Sequence, residues 1–183
     1  MEAFLTSLGL VALAEIGDKT QLLAFALAAR FRKPVPIVAG ILLATLANHA
    51  LAALAGAWAG TQLSPVVVRW ISAAAFIAFG AWALIPDRLD ALETHPRRGV
   101  LLTTAVAFFM VEMGDKTQLA TVALAARFHP LWAIVAGTTI GMLLANVPAV
   151  WMGDRLGQRV NFKLVRYAAA ALFVLTGVVS LLV

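Results

Sequence analysis

Glu15-Ile16-Gly17-Asp18-Lys19-Thr20-Gln21-Leu22 and Glu112-Met113-Gly114-Asp115-Lys116-Thr117-Gln118-Leu119 are one motif written twice, 97 positions apart, each inside a run of apolar residues. Each copy carries two acids, a hydroxyl, an amide and one ammonium group. Carboxylate and amide oxygens are hard donors, and a set of them suits Mn²⁺, Ca²⁺ or Mg²⁺. The chain has no Cys, and His49, His95 and His129 form no pair at helical spacing. That argues against a Zn²⁺ or Cu⁺ site and predicts a metal held by oxygen. Glu15, Asp18, Glu112 and Asp115 are the candidate metal ligands. Thr20, Gln21, Thr117 and Gln118 are candidate supporting ligands, and Lys19 and Lys116 balance charge.

Four carboxylates and two lysines sum to −2, which one divalent cation or two protons would neutralise. Crowded carboxylates hold protons that a metal must displace. The arithmetic therefore predicts exchange of a divalent cation against H⁺. A simpler reading pairs Glu15 with Lys19 and Glu112 with Lys116, at i,i+4, as intrahelical ion pairs. It leaves Asp18 and Asp115 without a role.

The elements that must position these groups are membrane helices. The 183 residues are 62% hydrophobic and 13% charged, with a mean hydropathy of +0.93. Asp or Lys at the centre of a membrane helix costs about 2.5–3.5 kcal/mol, so six such residues cost roughly 15–21 kcal/mol before they pair. They are expected to meet inside a bundle. In a regular helix Glu15, Asp18 and Gln21 share one stripe, as do Glu112, Asp115 and Gln118, while Thr20 and Thr117 fall off it. The threonines join only if the backbone leaves the helix near Gly17 and Gly114, where a kink or an unwound turn is compatible with the sequence.

Apolar runs near 3–29, 37–60, 66–85, 100–126, 131–153 and 164–183 predict six transmembrane helices. The duplication extends beyond the motif at the same spacing. Leu27 to Phe31 matches Leu124 to Phe128, Ile37 to Gly40 matches Ile134 to Gly137, and Gly56, Gly60, Arg69 and Gly80 match Gly153, Gly157, Arg166 and Gly177. Residues 1–86 are thus read as one three-helix repeat, 87–99 as a cytoplasmic linker and 100–183 as a second repeat. An odd number of crossings turns the second repeat upside down, so the fold class is an all-α integral membrane protein of two inverted-topology repeats, with a binding site at the midplane between them.

Basic residues set the orientation. Arg30, Arg32, Lys33, Arg88, Arg97, Arg98, Arg155, Arg159, Lys163 and Arg166 fall on one side, and Arg69 and Arg127 on the other. The richer side is expected to be cytoplasmic, with both termini outside the inner (plasma) membrane. The sequence pI near 10.5 reflects these loops, so no nucleic-acid partner is expected. Met1-Glu2 opens without a basic stretch and the first apolar run holds the motif, so no cleaved signal peptide is expected either. Trp58, Trp70, Trp132, Trp151 and Tyr167 lie near helix ends, as interfacial aromatics do. Trp82 fits either the interface or packing.

Asn48 and Asn146 are further candidate ligands, with an interhelical hydrogen bond as the plainer role. They are offset by 98 positions, so a matched role does not follow. His49 has Asn146 at its repeat position and reads as a satisfied packing residue. Pro148 has no counterpart.

The doubled Glu15-Ile16-Gly17-Asp18-Lys19-Thr20 and Glu112-Met113-Gly114-Asp115-Lys116-Thr117 resemble the signature E-x-G-D-[KR]-[TS] of the GDT family of membrane cation transporters, and the resemblance covers essentially the whole chain. It implies transport of Mn²⁺, and in some members Ca²⁺, against protons, with the motif acids as ligands and no cofactor beyond the transported ion. Bacterial members of that family are associated with manganese export. Two other classes compete. An intramembrane aspartyl protease also uses two embedded Asp, but a dyad sharing a proton tolerates neighbouring ammonium groups poorly. An organic-solute exporter needs an apolar pocket beside the charges. No catalytic residues are assigned.

Overall fold

The computed structural model describes residues 1–85, 99–152 and 162–182. Arg88, Arg97, Arg98, Gly153, Arg155, Gly157 and Arg159, and the predicted linker apart from Gly99, lie outside the described residues. Among the described residues there are eight helices: α1 (Glu2–Glu15), α2 (Lys19–Phe31), α3 (Pro34–Gln62), α4 (Pro65–Ala83), α5 (Val100–Glu112), α6 (Lys116–Arg127), α7 (Leu131–Met152) and α8 (Phe162–Leu182).

The difference from six expected helices lies in the motif. The first and fourth apolar runs are each split in two, and the split falls between the motif's acids. Gly17 and Gly114 adopt φ of 83° and 76°, a region that side chains with a Cβ avoid. Glu15 closes α1, and Asp18, in extended conformation with φ −84° and ψ 170°, opens α2. Asp115 does the same for α6, with φ −76° and ψ 163°. The backbone crosses each break on one tight bond, Asp18 N–H to Glu15 C=O at 3.1 Å and Asp115 N–H to Glu112 C=O at 3.0 Å.

Unbroken helices frame the split ones. Pro34 and Pro65 start α3 and α4, where the missing N–H costs nothing, and Ser64 Oγ accepts from Val67 N–H at 3.4 Å. By length and composition α3, α4 and α7 can cross a membrane, while α5 and the stretch Arg166–Leu182 of α8 are shorter apolar helices. Polarity is inside out. Leu43, Leu51, Leu54, Leu144 and Leu175 face outward. Glu15, Asp18, Thr20, Asn48, His49, Glu112, Asp115, Lys116, Thr117 and Asn146 are buried. Trp58, Trp70, Trp132, Trp151 and Tyr167 are all exposed, and Trp82 is half-buried.

Glycines mark where helices touch, and they do so in exchanged pairs. A Cβ at Gly40 of α3 would meet the Leu101 carbonyl oxygen and Thr104 Cβ of α5, both at 2.7 Å, while one at Gly137 of α7 would meet the Phe4 carbonyl oxygen and Ser7 of α1. Phe4 and Ser7 are the repeat counterparts of Leu101 and Thr104. Gly80 of α4 faces Ala170 and Val174 of α8, and Gly177 of α8 faces Ala73 and Ile77 of α4, again counterparts. Moving up α4 from Ala73 to Gly80 thus moves down α8 from Gly177 to Ala170, so these two helices run antiparallel.

Candidate metal centre

The four half-helices bring the two motifs face to face, and the side chains pair across copies. Lys19 Nζ lies 2.7 Å from Asp115 Oδ1. Lys116 Nζ donates to Asp18 Oδ1 at 3.0 Å. Glu15–Lys19 and Glu112–Lys116 are not the pairs that form, because the break at Gly17 and Gly114 removes the helical turn that an i,i+4 contact requires. The shared stripe of Glu15, Asp18 and Gln21 is lost for the same reason.

The threonines expected to fall off the stripe are instead joined to the glutamates. Thr20 Oγ1 donates to Glu15 Oε2 and Thr117 Oγ1 donates to Glu112 Oε1. Thr117 Oγ1 also lies 3.4 Å from Asp115 Oδ2. One oxygen of each glutamate is thereby fixed, and the other, Glu15 Oε1 or Glu112 Oε2, is buried with no hydrogen-bond partner. Carboxylate oxygens of Glu15, Glu112 and Asp115 lie within 4.8 Å of one another. Asp18 stands outside that trio, bound to Lys116.

The glutamines hold the breaks together. Gln21 Oε1 accepts from Gly17 N–H at 2.9 Å, and Gln118 Oε1 accepts from Gly114 N–H at 2.6 Å. Their amide groups then reach the flanking helices at matched places. Gln21 Nε2 donates to the Ala145 carbonyl at 2.9 Å on α7, and Gln118 Nε2 donates to Asn48 Oδ1 on α3. Asn48 and Ala145 are repeat counterparts. Asn48 Nδ2 also approaches the Phe109 carbonyl at 3.5 Å. Asn146 bonds within α7, to the Met142 carbonyl at 3.1 Å and to Met142 Sδ at 2.9 Å, and its Oδ1 is buried without a partner.

A search of protein-family models matches residues 3–91 and 100–183 to the family described as "Divalent cation/proton antiporter GDT1". The chain belongs to this family. It is 50% identical over 177 residues, 96% of this chain and 88% of the relative, to a Vibrio cholerae protein named "Putative manganese exporter". It is 31% identical over 205 residues to GDT1-like protein sll0615 of Synechocystis, covering 98% of this chain and 97% of the relative. GDT1-like protein 5 of Arabidopsis thaliana is 28% identical over 224 residues, 100% of this chain and 96% of the relative. No solved structure matches the chain.

One residue of the centre departs from its expected role. His49 is completely buried, its Nε2 lies 3.6 Å from Glu112 Oε1, and neither ring nitrogen has a hydrogen-bond partner. A satisfied packing histidine would have one. The sequence held a signal for it: His49 follows Asn48 in mid-helix and occupies the repeat position of a second buried polar residue, Asn146.

Proposed function

We propose that this transporter carries a divalent cation, Mn²⁺ by preference, out of the cell in exchange for protons, at a site formed by Glu15, Glu112 and Asp115 with Asp18 beside them. The observation that carries the reading is the cross-pairing of the lysines. Lys19 and Lys116 neutralise Asp115 and Asp18, so the net −2 of the cluster resides on Glu15 and Glu112, neither of which has an ammonium partner and each of which keeps one buried oxygen without a hydrogen bond. One divalent cation between them balances the charge, and so do two protons. The two loads exclude each other, which is the requirement for exchange.

The ends of the half-helices assist. α1 and α5 end at the glutamates and turn their negative ends toward a cation, as broken helices do in other secondary transporters. The antiparallel run of α4 and α8 and the exchanged glycine contacts support six crossings in two inverted repeats, divided as 1–86 and 100–183, with the site at the midplane. The ten-to-two distribution of basic residues supports a plasma-membrane orientation with both termini outside. The name of the Vibrio cholerae relative supports manganese. An enzymatic reading loses support because each motif aspartate is engaged by an ammonium group rather than sharing a proton with the other.

The test is uptake of Mn²⁺ and Ca²⁺ into liposomes containing the purified protein. Glu15→Gln and Glu112→Gln each remove one of the two uncompensated charges with little change of shape, so each abolishes transport of both ions in a folded protein. Wild-type flux in both variants would refute the site.

A further inference from the structure

We propose that His49 donates an imidazole nitrogen to the transported metal, so that the site is a mixed nitrogen and oxygen site that favours Mn²⁺ over Ca²⁺ and Mg²⁺. The inference rests on the exchanger reading and names what gives its site selectivity. His49 projects from α3 into the charged centre, fully buried, with both ring nitrogens unpartnered. A neutral imidazole always has one nitrogen with a free lone pair. The 3.6 Å between His49 Nε2 and Glu112 Oε1 is too long for a hydrogen bond, so that pair of atoms does not satisfy the ring. It is a separation that one cation bridges, since metal ions sit about 2.0–2.6 Å from each nitrogen or oxygen donor.

The same Glu112 has its Oε1 fixed by Thr117 and its Oε2 without a partner, and its carboxylate belongs to the trio with Glu15 and Asp115. His49 therefore stands beside the acid that the proposed site already uses. The second half offers a different atom at the matching position. Asn146 replaces the histidine there, and its Oδ1 is likewise buried and unpartnered. The two motifs are alike in their acids, lysines, threonines and glutamines, whereas the helices facing them differ, with Asn48 and His49 on α3 matched by Ala145 and Asn146 on α7.

The asymmetry has a chemical consequence. Ca²⁺ and Mg²⁺ take oxygen ligands, whereas Mn²⁺, the weakest binder of the first-row series, still gains from a nitrogen donor placed among carboxylates, so a ring nitrogen separates it from Ca²⁺ and Mg²⁺. Four carboxylates alone give little basis for choosing Mn²⁺ over Ca²⁺. One imidazole supplies it, and the three histidines of the chain need not form a pair to do so.

Pulsed electron paramagnetic resonance of Mn²⁺ bound to the full-length protein in detergent tests the assignment. The wild type should show hyperfine coupling to ¹⁴N, and protein grown with ¹⁵N-labelled histidine should show the coupling convert to ¹⁵N, without any substitution. In His49→Asn the nitrogen coupling should vanish, and the Mn²⁺:Ca²⁺ affinity ratio should fall by about tenfold or more, since even groups that only support a ligand are worth about 10–100-fold. Bound Mn²⁺ without nitrogen coupling would overturn this proposal and leave the exchanger reading standing. So would a coupling that does not convert on labelling or that survives in His49→Asn. A protein that binds no Mn²⁺ at all would overturn both.

Discussion

Lys19 is paired with Asp115 in the other copy of the motif, at 2.7 Å, rather than with Glu15 four positions before it. Lys116 and Asp18 reciprocate at 3.0 Å. The two ion pairs lock the motifs together across the interface of the halves, and in doing so leave the glutamates as the free charges of the centre.

The pairs are not equally buried, which makes them separable. The Lys116 side chain is 3% exposed and that of Lys19 22%. Removing one partner of a fully buried pair costs about 3–5 kcal/mol, because the other charge is stranded. Lys116→Met should therefore lower the thermal stability of the detergent-solubilised protein more than Lys19→Met, whose partner retains some access to water. Adding Asp18→Asn should restore much of the Lys116→Met loss, and adding Asp115→Asn much of the Lys19→Met loss. Rescue in the opposite combination, Lys116→Met with Asp115→Asn, would contradict the cross-pairing.

Much of this was legible in the sequence because the chain contains its own comparison. The spacing of 97 identified the acids, the lysines and the glycines that mark the crossings, and apolar runs placed the long helices α3, α4 and α7. The pairing of the charges was not legible. Spacing at i,i+4 presupposes a continuous helix, and a glycine between two acids does not announce that it takes a positive φ. Once the helix breaks after Glu15 and after Glu112, every inference based on a stripe fails together. The threonines move in and the lysines swap partners. His49 reads in the sequence as a satisfied packing residue because it has no histidine counterpart in the other half, and nothing in the spacing shows that both of its ring nitrogens are buried without a hydrogen-bond partner.

The threonine hydroxyls should matter for metal affinity more than for folding. Thr20 and Thr117 each fix one oxygen of a glutamate and so hold the carboxylate plane. Thr20→Val and Thr117→Val preserve the shape and remove the donor, and each should weaken Mn²⁺ binding by about 10–100-fold, as the loss of a supporting hydrogen bond does at other metal sites. Thr20→Ser and Thr117→Ser keep the donor and should bind nearly as the wild type. Calorimetric titration of Mn²⁺ distinguishes the two sets, and equal losses in the Ser and Val variants would point to packing instead.

Topology is testable without background, since the chain has no Cys. Arg32 and Ser64 lie in exposed turns at opposite ends of α3. In intact cells a cysteine at Ser64 should react with a membrane-impermeant thiol reagent and one at Arg32 should be shielded until the cells are opened. The reverse pattern would invert the orientation assigned from the basic residues.

The free charge on Glu15 and Glu112 also fixes the expected stoichiometry. With both aspartates neutralised by lysines, an empty and uncharged centre carries two protons, one for each glutamate, and a loaded centre carries one M²⁺ with none. Each transport cycle should then exchange two H⁺ for one metal ion and move no net charge. The sign of the pH dependence follows: protons compete with metal, so apparent Mn²⁺ affinity rises as pH rises and levels off once both glutamates are ionised before metal arrives. A channel with the same ligands would show that pH dependence too, so binding alone does not decide the mechanism. Flux does. In liposomes held at fixed membrane potential with a pH-sensitive dye inside, an outward Mn²⁺ gradient should drive two protons inward per ion, at a rate independent of the imposed voltage. Glu112→Gln should abolish the coupled proton movement together with the metal flux. Metal movement without counter-movement of H⁺ would rule out exchange and leave the duplicated acids as a permeation site.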